Sequence, residues 1–203
     1  MASSTFILLL LPLFLAITTS SPTSDLISEL QNLQSHSSHG VIRLDDHLLG
    51  RILSLSRPRP FSLLIFFDAA QLHDKSELQL PTLKSEFSIV SESFIKNNID
   101  SPNAHKLFFF DIEFKDSQRS FSRFGVNSLP HIRLVSPDVE DMKDSDKMDQ
   151  GDFSRLADSM AEFVESRTKL TIGELKRPPM FSGTYSIDGY SFYAFRTTSS
   201  YQP

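Results

Sequence analysis

Apolar residues recur along this chain in two patterns, three-to-four spacing and short continuous runs, and the two alternate. Leu26, Leu30 and Leu33 fall at helical spacing over residues 25–34, with Asp25 as a start signal. A Ser/His-rich loop over 35–40 leads to a short strand at 41–44. Asp45 and Asp46 open a second helix whose buried side is Leu48, Leu49, Ile52 and Leu53. Arg57-Pro58-Arg59-Pro60 breaks that helix. Residues 61–67 are apolar on both faces, as in the central strand of a parallel sheet covered by helices. Leu80, Leu83, Phe87, Val90 and Phe94 then predict a long amphipathic helix, with Pro81 in its first turn where a missing N–H costs little. A polar loop (97–103), a strand (106–112) carrying Phe108, Phe109 and Phe110, and a short helix (117–124) follow. Val126-Asn127-Ser128-Leu129-Pro130 leads into a strand at 131–135. The stretch 137–152 is acidic and reads as a loop. Phe153, Leu156, Met160, Phe163 and Val164 mark a last helix. Alternation of this kind predicts an α/β layer structure.

Both ends depart from this pattern. Residues 6–17 form a nearly continuous apolar run followed by Thr18, Thr19, Ser20 and Ser21. That is the h-region and small-residue cleavage zone of a signal peptide, assigned to residues 1–20, although no Lys or Arg precedes it. The run is too short to span a bilayer comfortably. The expectation is a mature chain soluble inside the secretory pathway. After Pro179 the composition changes, and all four tyrosines lie there among Ser, Thr and Gly. Residues 176–203 are therefore expected to be an irregular tail, and residues 25–175 the folded domain.

Composition narrows the chemistry. The 203 residues suffice for one ordinary domain with extensions. With 18 Phe and no Trp, the core is built from Phe, Leu and Ile. The formal net charge is -5, and the basic residues cluster only over 51–59, which argues against a nucleic-acid partner. There is no cysteine. Disulfides, thiolate zinc sites and iron–sulfur clusters are thereby excluded together.

Two places define a candidate site. The strand at 61–67 ends in Asp68-Ala69-Ala70, and Ser76-Glu77-Leu78-Gln79 stands at the following helix entrance. Leu129-Pro130 immediately precedes the next strand. This skeleton resembles thioredoxin, whose helix entrance carries Cys-x-x-Cys and faces a residue–cis-Pro step. Thiolate chemistry needs sulfur, so the scaffold serves another purpose here. Gly40-Val41-Ile42-Arg43-Leu44, Gln71-Leu72-His73, Ser85-Glu86-Phe87, residues 124–130, residues 158–167 and Arg177-Pro178-Pro179 extend the likeness. Together they resemble the thioredoxin-like accessory subunit of the oligosaccharyltransferase complex, the subunit 3/subunit 6 family, in a plant form.

That resemblance implies an α/β thioredoxin-like fold with a central mixed sheet flanked by helices. It implies a non-catalytic accessory role in protein N-glycosylation in the endoplasmic reticulum, by transient non-covalent binding of acceptor polypeptide. The implied partners are other subunits of the complex and nascent or unfolded polypeptide, with the membrane reached only through the complex. No cofactor or metal is implied. Ser76 and Gln79 take the places of the family's redox cysteines. The peptide-binding candidates are Ser76, Glu77, Gln79, Leu129 and Pro130. The family's four membrane helices have no counterpart after Pro179, so a C-terminally truncated form is expected. A stand-alone luminal peptide-binding or chaperone-like protein is the alternative.

Competing constellations are weaker. His73 and Ser76 have the spacing of a base and a nucleophile, but sequence places no orienting acid or oxyanion site. His36 and His39 have a metal-like spacing but no carboxylate nearby. The acidic run lacks the glycine and terminal Glu of a calcium loop and reads as a solvated loop.

Overall fold

The structure, a computed structural model, describes residues 22–177 and the backbone of residues 186–187 and 190–191. The signal peptide expected at 1–20 and most of the tail expected from 176 lie outside the described residues. Helix α1 (Pro22–His36) precedes strand β1 (Val41–Arg43), followed by α2 (Asp46–Leu53), β2 (Ser62–Asp68), α3 (Leu80–Asn98) and β3 (Leu107–Glu113). Helix α4 (Gln118–Phe124), strands β4 (His131–Val135) and β5 (Asp146–Lys147) and helix α5 (Ala157–Thr168) complete the domain. Ser186–Ile187 and Tyr190–Ser191 pair as a separate antiparallel ladder.

The strands form one mixed sheet in the order β1-β3-β2-β4-β5. β1 and β2 run parallel to β3, whereas β4 runs antiparallel to β2 with Phe67 opposite His131. A mixed central sheet with helices on both faces is the thioredoxin-like fold. The apolar runs divide because successive side chains on a strand point to opposite faces. Leu64, Phe66, Leu107, Phe109, Ile132 and Leu134 form one core with Phe87 and Phe94 of α3 and Met160 and Val164 of α5. Leu63, Ile65, Phe67, Phe108, Phe110 and Ile112 form the other, with Leu30, Leu49, Ile52 and Phe121 from α1, α2 and α4. Edge-on ring contacts tie these layers together, Phe67 to Phe121 at 5.1 Å and Phe87 to Phe109 at 5.8 Å.

Three elements differ from the sequence reading. The acidic stretch is not all loop, because Asp146 and Lys147 add a short edge strand against Arg133 and Leu134. No period announces a two-residue strand. Helix α5 begins at Ala157 after a 3-10 segment (Gln150–Arg155), since Leu156 has φ 55° and interrupts the helical path. The folded chain also continues beyond 175. Residues 169–177 run back along α3, where Asn97 Nδ2 donates to Ile172 O at 3.0 Å and Ser93 Oγ accepts from Lys176 N–H at 3.0 Å. Gly173 permits this path: its φ is +83°, and a Cβ there would meet Asn97 Nδ2 at 2.5 Å. Arg177 closes the strap on Glu86 of α3 (2.7 Å) and Asp158 of α5 (3.1 Å).

Candidate functional site

The first wall of the site is the crossover from β2 to α3. β2 ends on Asp68, which is 1% exposed, and its Oδ1 accepts the Ala69 N–H at 2.8 Å. Glu113, at the end of β3, accepts the Ala70 N–H at 3.0 Å. His73 Nε2 lies 2.7 Å from Asp68 Oδ1. Lys84, one turn into α3, donates to Asp68 Oδ2 and Asp111 Oδ2, both at 2.8 Å. Burial works against a charged Asp68, but the hydrogen bonds from Lys84 and His73 outweigh it and hold the carboxyl below its ordinary range. Burial likewise opposes the Lys84 charge, and Asp111 and Asp68 more than restore it.

Between these anchors lies the turn that the sequence places at the helix entrance. Ser76–Leu78 form an isolated 3-10 turn, Gln79 takes left-handed backbone angles (φ 48°, ψ 27°), and α3 starts only at Leu80. Ser76 thus stands in the turn before α3, and Gln79 caps its start.

The second wall is the approach to β4. Gly125, with φ 66°, ends α4, and its N–H returns to Phe121 O and Ser122 O. Residues 126–130 then cross to β4, with Leu129–Pro130 cis; Arg57–Pro58 is cis as well. The backbone N–H and C=O of Leu129 make no hydrogen bond with the described residues.

Between the walls lie two adjoining clefts. One, of about 360 Å³, is lined by Glu77, Leu78, Gln79, Leu129, Pro130 and Phe153, among others. The second, of about 400 Å³, includes Leu72, Leu78, Phe114, Phe121, Val126 and Leu129. Leu78 and Leu129 belong to both, so the clefts join across these two side chains. Four of the five residues singled out from sequence (Glu77, Gln79, Leu129 and Pro130) therefore share one cleft; Ser76 lines neither. Sequence reasoning missed Phe153, whose spacing reads as the buried face of a helix, and left Leu78 out of the binding candidates although it lies in the same turn. It also missed Phe114, which is 39% exposed. A large aromatic just past a strand end was the available signal for that residue.

Competing chemistries do not assemble here. Asp68 is the orienting acid that the sequence reading did not find for His73, yet Ser76 makes no hydrogen bond to His73 and no triad forms. His36 Nδ1 lies 2.8 Å from Asn32 O, and His39 Nδ1 lies 3.1 Å from Glu92. Gln71, Gln79, Asn127 and Gln150 line the clefts with side chains unpartnered among the described residues.

Directly behind Pro130, His131 is buried edge-on to Phe67, at 5.6 Å. Arg133 Nε donates to His131 Nε2 at 3.0 Å, which places the ring proton on Nδ1. Arg133 is held in turn by Ser145 O (2.7 Å) and Phe124 O (3.0 Å). Burial first, then the charges of Arg133 and Lys147, push the His131 imidazole down to about 4.

Comparison with known proteins fits this geometry into a family. Residues 28–198 match the OST3 / OST6 family, transporter family. The chain is 54% identical over 182 residues to the probable dolichyl-diphosphooligosaccharide–protein glycosyltransferase subunit 3 of Oryza sativa subsp. japonica, covering 89% of this chain and 53% of that protein. It is 59% identical over 159 residues to the probable subunit 3B of Arabidopsis thaliana, covering 77% and 46%. The chain thus spans about half the length of the curated relatives it matches. Among solved structures, the first thioredoxin domain of mouse protein disulfide-isomerase A4 aligns with a TM-score of 0.45 at 15% identity, covering 71% of this chain and 85% of that one. The zinc-bound form of human ERp44 aligns with a TM-score of 0.44 at 16% identity, covering 62% and 30%.

Proposed function

We propose a function from the premise that this chain belongs to the OST3 / OST6 family. It acts as a non-catalytic accessory subunit of oligosaccharyltransferase in the lumen of the endoplasmic reticulum, where it holds extended acceptor polypeptide by non-covalent contacts. The observation that carries this reading is the pair of clefts joined at Leu78 and Leu129, beside a Leu129 backbone whose N–H and C=O are unpaired among the described residues. An extended peptide laid there finds a donor and an acceptor as it would at a sheet edge, and alternate side chains enter the two clefts. Main-chain pairing gives little sequence selectivity, as a subunit serving many acceptor sites requires. The absence of cysteine leaves no covalent route, so affinity is weak and exchange fast.

Two experiments test the parts separately. The full chain is titrated with unfolded peptides while binding is read by fluorescence anisotropy. Leu78→Glu, which puts a charge between the clefts, and Pro130→Ala are each expected to weaken binding about tenfold. Unchanged binding in both removes the groove. A mild-detergent pull-down from native cells, probed for the catalytic glycosyltransferase subunit, tests membership of the complex. Recovery of the chain without that subunit would refute the accessory role while leaving peptide binding standing.

A further inference from the structure

A third cleft, of about 680 Å³, lies at the pole of the sheet opposite the groove, where β2 begins and β4 ends. Arg59, Lys106 and Arg167 line it, together with Ser62, Asn103 and Asp138. These three cations come from different parts of the chain: the break after α2, the approach to β3 and the last turn of α5.

Arg59 is the unusual one. Within the basic cluster over 51–59, Arg51 pairs with Glu29 and Arg57 pairs with Glu140 at 2.9 Å. Arg59 is 2% exposed and has no carboxylate partner among the described residues. Its Nη2 donates to the carbonyls of Ser136 (3.1 Å) and Val139 (2.7 Å). Among the described residues its Nε is buried without a partner and its Nη1 makes no hydrogen bond. Guanidinium groups this deeply buried are ordinarily paired, because desolvating the charge is expensive. Burial, reinforced by Arg57 and opposed by Asp138, holds Arg59 below its ordinary range. Lys106 is exposed and forms no ion pair among the described residues. Arg167 lies over the Phe163 ring at 4.3 Å and meets Asp146 only at 3.5 Å, with its Nη2 unbonded.

We infer that this cleft is a binding site for a phosphate-bearing ligand, whose oxyanion is held between Arg59, Lys106 and Arg167. Guanidinium and ammonium groups together match the charge and the acceptor oxygens of a phosphate. The cleft volume exceeds what a bare oxyanion fills, leaving room for the group that carries it. The carrier is a soluble phosphoester or a lipid headgroup. The site lies apart from the groove and does not depend on the peptide-binding reading.

The probe is inorganic pyrophosphate, titrated into the full chain at constant ionic strength and followed by the NMR shifts of arginine Nε–H and lysine Nζ groups. Saturable binding is expected, with Lys106→Gln and Arg167→Gln each weakening it about tenfold. Both positions are exposed, so the substituted chains fold, and an unchanged urea unfolding midpoint confirms it. Co-flotation with phosphatidylcholine vesicles containing phosphatidic acid, reversed by pyrophosphate, assigns the carrier to a lipid. Pyrophosphate binding without flotation assigns it to a soluble ligand. Binding that fails to saturate, or that both substitutions leave intact, overturns the site.

Discussion

Acidification should destabilise this domain through one residue, His131. Its imidazole titrates at about 4 in the folded chain, against 6.5 for an unperturbed histidine. The causes are burial and the neighbouring Arg133 and Lys147. Protonation would also turn the acceptor of the Arg133 Nε–H into a donor and set two cations 3.0 Å apart. Because the folded state resists a proton that the unfolded state takes up readily, the unfolded chain binds more protons between these two values. Stability therefore falls as pH drops through 6.5 towards 4, and is fully present above that window. Integrating the linkage from pH 7 to pH 5 gives a loss of about 2 kcal/mol from this group alone. With a urea slope of about 2 kcal/mol/M, the unfolding midpoint moves down by about 1 M. Asp68, whose carboxyl lies below its ordinary range, gives up its contribution only at lower pH and does not confuse the measurement. The comparison is urea unfolding at the two pH values for the wild-type chain and His131→Gln, which keeps an acceptor for Arg133 but cannot titrate. The variant should lose about 2 kcal/mol less than wild type across the window. Equal losses in the two proteins would refute the assignment of the pH dependence to His131.

Other consequences of the structure are open to similar tests. Lys84→Met leaves Asp68 and Asp111 without their shared ammonium. It should raise the Asp68 carboxyl pKa, seen by NMR titration, and lower stability by about 2–3 kcal/mol, below the loss for a fully enclosed pair because the Lys84 side chain is 37% exposed. Phe109→Ala empties the ring position between Phe87 and Phe94, at centroid distances of 5.8 and 5.7 Å. Thermal or urea unfolding should show a loss of about 3–5 kcal/mol, and a loss under about 1 kcal/mol would mean that the surrounding core collapses to fill the cavity.

The hydrophobic pattern by itself determined the layer order of this protein. The run at 61–67 became β2 one residue later, at Ser62–Asp68, and the spacing of Leu80, Leu83, Phe87, Val90 and Phe94 became the buried face of α3. Leu129-Pro130 is legible as the step before a strand, and the missing cysteine by itself excludes thiol exchange. These are local properties: a side chain's period reports which face of its own element meets the core. What only the tertiary structure decided depends on contacts between distant segments. Carboxylates at the ends of β2 and β3 hold the Ala69 and Ala70 N–H groups, and Asp68 meets His73 and Lys84 across a loop that has no period. Phe153 reads as core in the sequence, yet it lines a cleft with Leu78 because the segments bearing them meet beside Pro130. The same holds for Arg59, Lys106 and Arg167, three unremarkable cations along the chain. The crossing of β2, β3, β4 and α5 brings them to one pole and leaves a buried guanidinium without an ion pair among the described residues. Periodicity records how each element faces the solvent, whereas a site is made where elements meet, and that is set by packing.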